Sequence, residues 1–211
     1  MNLISRSGQA MIEFFFDCSS PWTYFAFEGV QKLAAETGVA IEWRPILVGG
    51  VFNSVNPTVY ANRERPVPAK AAYFAKDLRD WSNFLNLPIH ILPSIFPINS
   101  VKAMRGCILV EEKGLLVQFA RAVFEAYWRD NLDISNDETL KRLCDKLNID
   151  ASWFFDGIAS DVIKQRLRAN TDELIARGGF GSPTMFLDSR DMYFGNDRLP
   201  LLRAAIGRLS F

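Results

Sequence analysis

Residues 14–25 read "FFFDCSSPWTYF". An apolar run rich in Ile and Phe, reaching back to Met11, stops at Asp17 and has the character of a buried strand. A helix-like run starts at Pro21. Proline suits the first helical turn, where its missing N–H costs no intrahelical bond, and Ser19 or Ser20 can cap the turn ahead of it. The stretch is therefore a strand passing straight into a helix, with two hydroxyls at the junction. Either the serines simply cap the helix, or the helix start holds an anion there with its free N–H groups.

Working outward, "WTYFAFEGVQKLAAETG" places Tyr24, Phe27, Val30 and Leu33 at helical spacing, and Gly38 is a natural stop. "AIEWRPI" (40–46) alternates and reads as a second strand, giving a βαβ unit. Residues 47–68, "LVGGVFNSVNPTVYANRERPVP", are rich in Gly, Asn and Pro and are expected to form a long, functional loop. The middle of the chain is helical. "AKAAYFAKDLRDWSNFLN" carries Tyr73, Leu78 and Trp81 as an apolar stripe, and three further helices follow the Pro-rich link "LPIHILPSIFP" (87–97). The last of these, "SNDETLKRLCDKLN", opens with Ser135 and Glu138 spaced as a capping box. A helix over about 159–177 comes next. "SPTMFLD" and "DMYFG" then form a hairpin, and an amphipathic helix over 198–209 closes the chain.

The order βαβ, helical block, helix, ββα is an α/β plan. Both end units share one thioredoxin-like sheet, and a large all-helical insertion sits between them. The expected division is 11–65 with 157–211 for the thioredoxin-like domain and 66–156 for the insertion.

Composition narrows the function. The chain has 211 residues, 49% hydrophobic, with Lys plus Arg equal to Asp plus Glu at 24 each. That balance offers no electrostatic reason to expect nucleic acid or an anionic membrane as a partner. No apolar run approaches the roughly 20 residues that span a bilayer, and "MNLISRSGQA" has no signal-peptide core, so a cytoplasmic protein is expected. Cys18, Cys107 and Cys144 are odd in number and far apart, which argues against a disulfide framework and a structural zinc site. His90 is the single histidine and lies between prolines, so no metal site or Ser–His–Asp triad is expected to rest on it.

A thioredoxin-like redox enzyme places cysteines at the first helical turn. Here Ser20-Pro21-Trp22-Thr23 occupies that turn, and both sulfur positions are hydroxyls. A serine cannot exchange disulfides, but it can donate a hydrogen bond to a thiolate supplied by another molecule. Cys18 reads as a small buried hydrophobe at the strand end.

Four motifs, "FDCSSPWTY", "ANRERP", "FGSPTMF" and "FGNDRL", stand in this order across the chain. With them the chain resembles the 2-hydroxychromene-2-carboxylate isomerases over Ile12 to Leu209. These are glutathione-dependent relatives of kappa-class glutathione transferases and, more distantly, of DsbA-type oxidoreductases. The resemblance implies that Ser20 is the catalytic serine that contacts the glutathione sulfur. Ser182-Pro183 would be the cis-proline loop, whose backbone pairs with the cysteinyl part of glutathione. Because backbone atoms make that contact, a serine at 182 in place of an aliphatic residue is expected to do little harm. Phe194, Gly195, Asn196 and Asp197 would form the loop for the γ-glutamyl end, with Asp197 pairing with its ammonium. Asn62 and Arg63 would face a small aromatic carboxylate substrate, and Arg63 could hold its carboxylate in a two-pronged pair. A basic substrate contact of the family falls on Phe52 here, and a substrate-contacting tyrosine falls near Phe96, so the glutathione half of the site follows the family more closely than the substrate half. The resemblance also suggests a homodimer. Three function classes follow: a glutathione-dependent isomerase of aromatic catabolism, a kappa-type transferase or peroxidase, and a non-catalytic binding module.

Overall fold

The computed structural model describes residues 10–209, so all but the last residue of the N-terminal stretch read for a signal peptide lies outside the described residues. Strand β1 (Met11–Phe16) pairs in parallel with β2 (Ala40–Pro45) and antiparallel with β3 (Thr184–Leu187). β3 pairs antiparallel with β4 (Asp191–Phe194), giving the order β2-β1-β3-β4. This mixed sheet, with helix α1 (Pro21–Thr37) crossing between the parallel strands, is a thioredoxin-like fold.

Side chains alternate across β1 as the pleat requires. Ile12, Phe14 and Phe16 are fully buried on one face, where Phe16 meets Phe27 of α1 and Phe124. Phe15 faces the other side and packs edge-on against Phe186 of β3. Burying one such aromatic ring contributes about 2–3 kcal/mol, so the two faces hold most of the driving force for the sheet.

The expected loop over 47–68 is instead two helices, α2 (Val48–Val55) and α3 (Thr58–Glu64). Glycine lowers helix propensity, yet Gly50 lets α2 lie against a neighbouring helix: a Cβ there would sit 3.3 Å from Thr171 Cγ2. Tertiary packing outweighs local preference at that point. Helix α3 buries no residue.

Helix α4 (Pro68–Leu85) forms as expected, but only part of its stripe faces the core. Leu78 is buried, while Tyr73 is 62% exposed. Helices α5 (Val101–Val110), α6 (Leu116–Phe124) and α7 (Asp137–Lys146) follow. The capping box expected from Ser135 is displaced by one residue: Asn136 caps α7 by accepting from Glu138 N–H at 2.8 Å, and Ser135 bonds back to Asp133. The helix expected over about 159–177 forms over 161–176, and a shorter helix that was not expected precedes it. Helix α8 (Ala151–Ala159) ends where Ser160 caps α9 (Asp161–Ala176). Helix α10 (Leu199–Leu209) closes the fold against α1. Among the described residues no helix is long and apolar enough to cross a membrane.

Helix α6 runs on into a π turn (Glu125–Arg129), marked by the bond from Asp130 N–H to Glu125 C=O at 2.9 Å. The wider turn brings Ala126, Tyr127 and Trp128 inward together. The Trp128 indole N–H donates to Cys18 C=O at 2.9 Å, and the Tyr127 hydroxyl donates to Ile95 C=O at 2.8 Å. The helical block is thereby tied to the strand–helix junction and to the 87–97 link.

Candidate active site

The site begins with the turn from β1 into α1. Ser20 N–H closes the turn onto Asp17 C=O at 3.2 Å, and Ser20 has extended backbone, as an N-cap requires. Its hydroxyl accepts from Thr23 N–H at 3.3 Å and donates to Ser182 C=O at 3.1 Å. The serine therefore does cap the helix, and its other hydrogen-bonding direction points at the loop before β3.

That loop carries a cis peptide between Ser182 and Pro183. The Ser182 hydroxyl is buried, accepts from Asp17 N–H at 3.0 Å and lies 2.8 Å from the Thr23 hydroxyl. Position 182 thus has a task that an argument from its backbone alone omits: its side chain joins the end of β1 to the first turn of α1. Ser182→Val should leave the Asp17 N–H and the Thr23 hydroxyl unpaired in the interior and cost about 2 kcal/mol, measured by urea unfolding. Unfolding at the wild-type midpoint would refute that task. The Ser182 N–H itself has no protein acceptor among the described residues.

Pro183 C=O accepts from Gly195 N–H at 3.1 Å, which brings the third loop alongside. Gly195 has φ +103, and a Cβ there would lie 2.7 Å from Asp197 Oδ1, so the tight approach needs glycine. Asn196 is 7% exposed and its Nδ2 has no hydrogen-bond partner among the described residues. Asp197 is half exposed and pairs with Arg198 at 2.5 Å. Phe194 packs at a tilt against Phe180, with a centroid distance of 4.4 Å, and covers Gly181. Ser20, Ser182-Pro183 and Gly195–Asp197, far apart in sequence, form one hydrogen-bonded edge.

A cavity of about 290 Å³ opens beside this edge, between the Asp17–Ser19 turn, α2, α3 and residues 96–101. Phe52, Arg63 and Phe96 line it. The Arg63 guanidinium lies 5.7 Å from the centre of Phe52, 6.0 Å from Tyr60 and 5.5 Å from Phe96. It makes no ion pair among the described residues. Asn62 is exposed and does not line the cavity, and at the turn Ser19 rather than Ser20 does. Tyr60, Ser19 and Asp17 are wall residues that the sequence reading did not single out. For Tyr60 a signal existed: it stands three residues before Arg63, on one face of a helix, a relation hidden while the segment read as loop.

Two ionisable groups at the turn differ from their exposed counterparts. Asp17 is 1% exposed; its Oδ1 accepts from Ser19 N–H at 2.9 Å and its Oδ2 from Val48 N–H at 2.8 Å. Burial pushes its carboxyl up, opposed by those N–H groups and by the Ser100 and Ser19 hydroxyls. Cys18 is fully buried, and burial pushes its thiol well above the usual range, with the Cys107 thiol beside it acting in the same direction. A buried, protonated thiol is not placed for disulfide exchange.

A strand–helix junction facing a cis-proline loop, with hydroxyls where redox sulfurs would stand, defines a thioredoxin-fold protein without the thiol pair. This chain belongs to the family of the DSBA-like thioredoxin domain, whose profile matches residues 11–207. It is 32% identical over 200 residues to a 2-hydroxychromene-2-carboxylate isomerase of Pseudomonas sp. (strain C18), covering 93% of this chain and 90% of that one. It is 25% identical over 210 residues to glutathione S-transferase kappa 1 of Homo sapiens, covering 93% and 91%. The solved structure of a 2-hydroxychromene-2-carboxylate isomerase superposes with a TM-score of 0.80 at 28% identity, covering 95% of this chain and 96% of that one. A probable DsbA oxidoreductase from Streptomyces coelicolor shares the fold, with a TM-score of 0.76 at 17% identity, covering 95% and 90%.

Proposed function

We propose that this protein is a glutathione-dependent isomerase that interconverts 2-hydroxychromene-2-carboxylate-type hemiketals and trans-o-hydroxybenzylidenepyruvate-type acids. The observation that carries the reading is the pairing of a thiol-free helix start with an adjoining cavity where, among the described residues, Arg63 is the one cationic side chain, makes no ion pair and is ringed by aromatics.

The residues present suit glutathione. The Ser182 N–H and C=O offer a short strand-like edge for a cysteinyl backbone, and the buried, unpartnered Asn196 Nδ2 is a donor waiting for an anionic group such as a γ-glutamyl carboxylate. Asp197, half exposed, can exchange Arg198 for an ammonium at little cost. Bound glutathione supplies a thiol whose reversible addition to the substrate's double bond allows that bond to rotate. Ser20 gives its one hydroxyl proton to Ser182 C=O here and would turn that proton to the glutathione sulfur on binding, while the start of α1 adds a field that favours negative charge there. Phe52, Tyr60 and Phe96 exclude water from the substrate ring, and Arg63 takes its carboxylate.

Conversion of the hydroxychromene carboxylate, followed by absorbance with and without glutathione, tests the reading; no glutathione-dependent conversion would overturn it. Turnover of a chlorinated dinitrobenzene in its place would favour a kappa-type transferase. Arg63→Met should weaken binding of the aromatic acid about tenfold, close to 1.4 kcal/mol, and leave the KM for glutathione unchanged. An equal loss for both ligands would place Arg63 outside the substrate half.

A further inference from the structure

The 87–97 link brings Phe96 to the cavity wall, yet it forms no helix or strand that would fix the ring there. Phe96 is 46% exposed. With Pro21, Leu78, Ile91 and Trp128 it also borders a second, apolar cavity of about 20 Å³, enough for about one water molecule. Packing alone therefore leaves the ring room to shift. Arg63 depends on that ring, because α3 buries no residue and the guanidinium sits among Phe52, Tyr60 and Phe96 without an ion pair. Beyond Leu87, the hydrogen bonds that tie the link to the rest of the chain, among the described residues, all come from 127–131. Trp128 C=O accepts from His90 N–H, and the Tyr127 hydroxyl donates to Ile95 C=O at 2.8 Å. Asn131 makes a two-bond clip on Ser94: its Oδ1 accepts from Ser94 N–H and its Nδ2 donates to the Ser94 hydroxyl, both at 2.7 Å. Neither Tyr127 nor Asn131 lines the cavity.

We propose that Asn131 and Tyr127 are positioning residues for the aromatic acid: by holding Ser94 and Ile95 they keep Phe96 against Arg63, and so keep the cavity in the shape that binds. The proposal rests on the aromatic-acid reading of the cavity above and names residues outside the cavity that set its affinity. A link released from Asn131 spends part of its time with Phe96 elsewhere, and the apparent affinity falls with the competent fraction. Glutathione binds along Ser20, Ser182 and Gly195–Asp197 in that reading. None of these lines the cavity, so its affinity is independent of the clip.

The probe is trans-2-hydroxycinnamate, which has the ring, hydroxyl and carboxylate of the proposed acid and lacks its ketone. Asn131 has φ +56, a conformation that glycine adopts freely, so Asn131→Gly removes the clip and keeps the backbone. Calorimetric titration should show this variant binding the probe about fivefold more weakly than wild type, with its affinity for glutathione unchanged. Asn131→Asp keeps an acceptor for Ser94 N–H and can accept from the Ser94 hydroxyl, and should restore probe affinity to within about twofold of wild type. In a Phe96→Ala background Asn131→Gly should add nothing, since the ring it positions is gone. Unchanged probe affinity in Asn131→Gly, an equal loss for glutathione, or the same loss in the Phe96→Ala background would overturn the proposal while leaving the acid site intact. If the wild type does not bind the probe, the aromatic-acid reading itself fails and the proposal with it. Should Asn131→Gly not fold, Tyr127→Phe, which removes only the bond to Ile95 C=O, decides by the same titrations.

Discussion

Ser20→Ala is expected to lower the turnover of enzyme saturated with glutathione about 100-fold, and raising the pH is not expected to restore it. Two effects could make the hydroxyl matter, and their sizes differ. The first is acidification. A thiol of pKa ~8.5 is about 3% ionised at pH ~7, and lowering that pKa by ~2 units gives a gain of roughly 25-fold in thiolate. Nucleophilicity falls with pKa at a slope of ~0.45, which returns roughly 8-fold and leaves about 3-fold. The second is placement, and holding two reacting groups together can contribute about 7 kcal/mol or more. The Ser20 hydroxyl, fixed between Thr23 N–H and Ser182 C=O, is built for placement. The same change removes an N-cap, so stability should fall by about 1 kcal/mol, which circular dichroism melting would register separately. Activity that recovers fully at high pH would leave acidification as the serine's only role.

The largest expected effect on stability lies on the opposite face of the sheet. Arg177→Ala should destabilise the fold by about 3 kcal/mol in urea unfolding. Glu13 is 5% exposed and receives both guanidinium nitrogens of Arg177, at 2.7 and 2.9 Å, while the same guanidinium lies 3.8 Å from the centre of Phe186 and bonds Glu173 at 2.9 Å. Removing Arg177 leaves a carboxylate inside the protein with the Ser189 hydroxyl and the more distant Arg44 charge in place of a bidentate cation. Burial alone would raise the Glu13 pKa, but the hydrogen bonds and charge of Arg177 hold it below the usual carboxylate range. Stability from this pair is therefore present above the unfolded glutamate value of about 4.3 and is lost as pH falls through the lower folded value. The unfolding curves of wild type and Arg177→Ala should stand apart at neutral pH and converge in acid. An offset that persists in acid would assign the loss to ring packing.

Much of this was legible before any coordinates. The "FFFDCSSPW" junction, Gly38 and the closing hairpin are set by local signals: an apolar run, a capping serine, a helix-stopping glycine. Each survives folding because its tertiary surroundings agree with it. Helix α2 was not legible, because its glycines argue against a helix and the reason for Gly50, close approach to Thr171, is supplied by a helix over a hundred residues later. The displaced cap at Asn136 is a matter of one residue, within which Ser, Asn and Asp compete on nearly equal terms. For the candidate site, motif order singled out Ser20, Ser182 and Arg63, but sequence gives no sign that Asp17 would face a cavity, since alternation along β1 says which side it faces and not what stands opposite.

The π turn after α6 acts as a phase shift. Residues of an α-helix advance by about 100° each, so a single extra residue in one turn re-aims everything that follows it. Here the reset puts two neighbouring aromatics on the inner side, and one of them holds the carbonyl of the residue next to Ser19. The carbonyl just before Ser19 is thus held by a count of residues more than a hundred positions downstream, in a stretch that contributes no atom to the cavity.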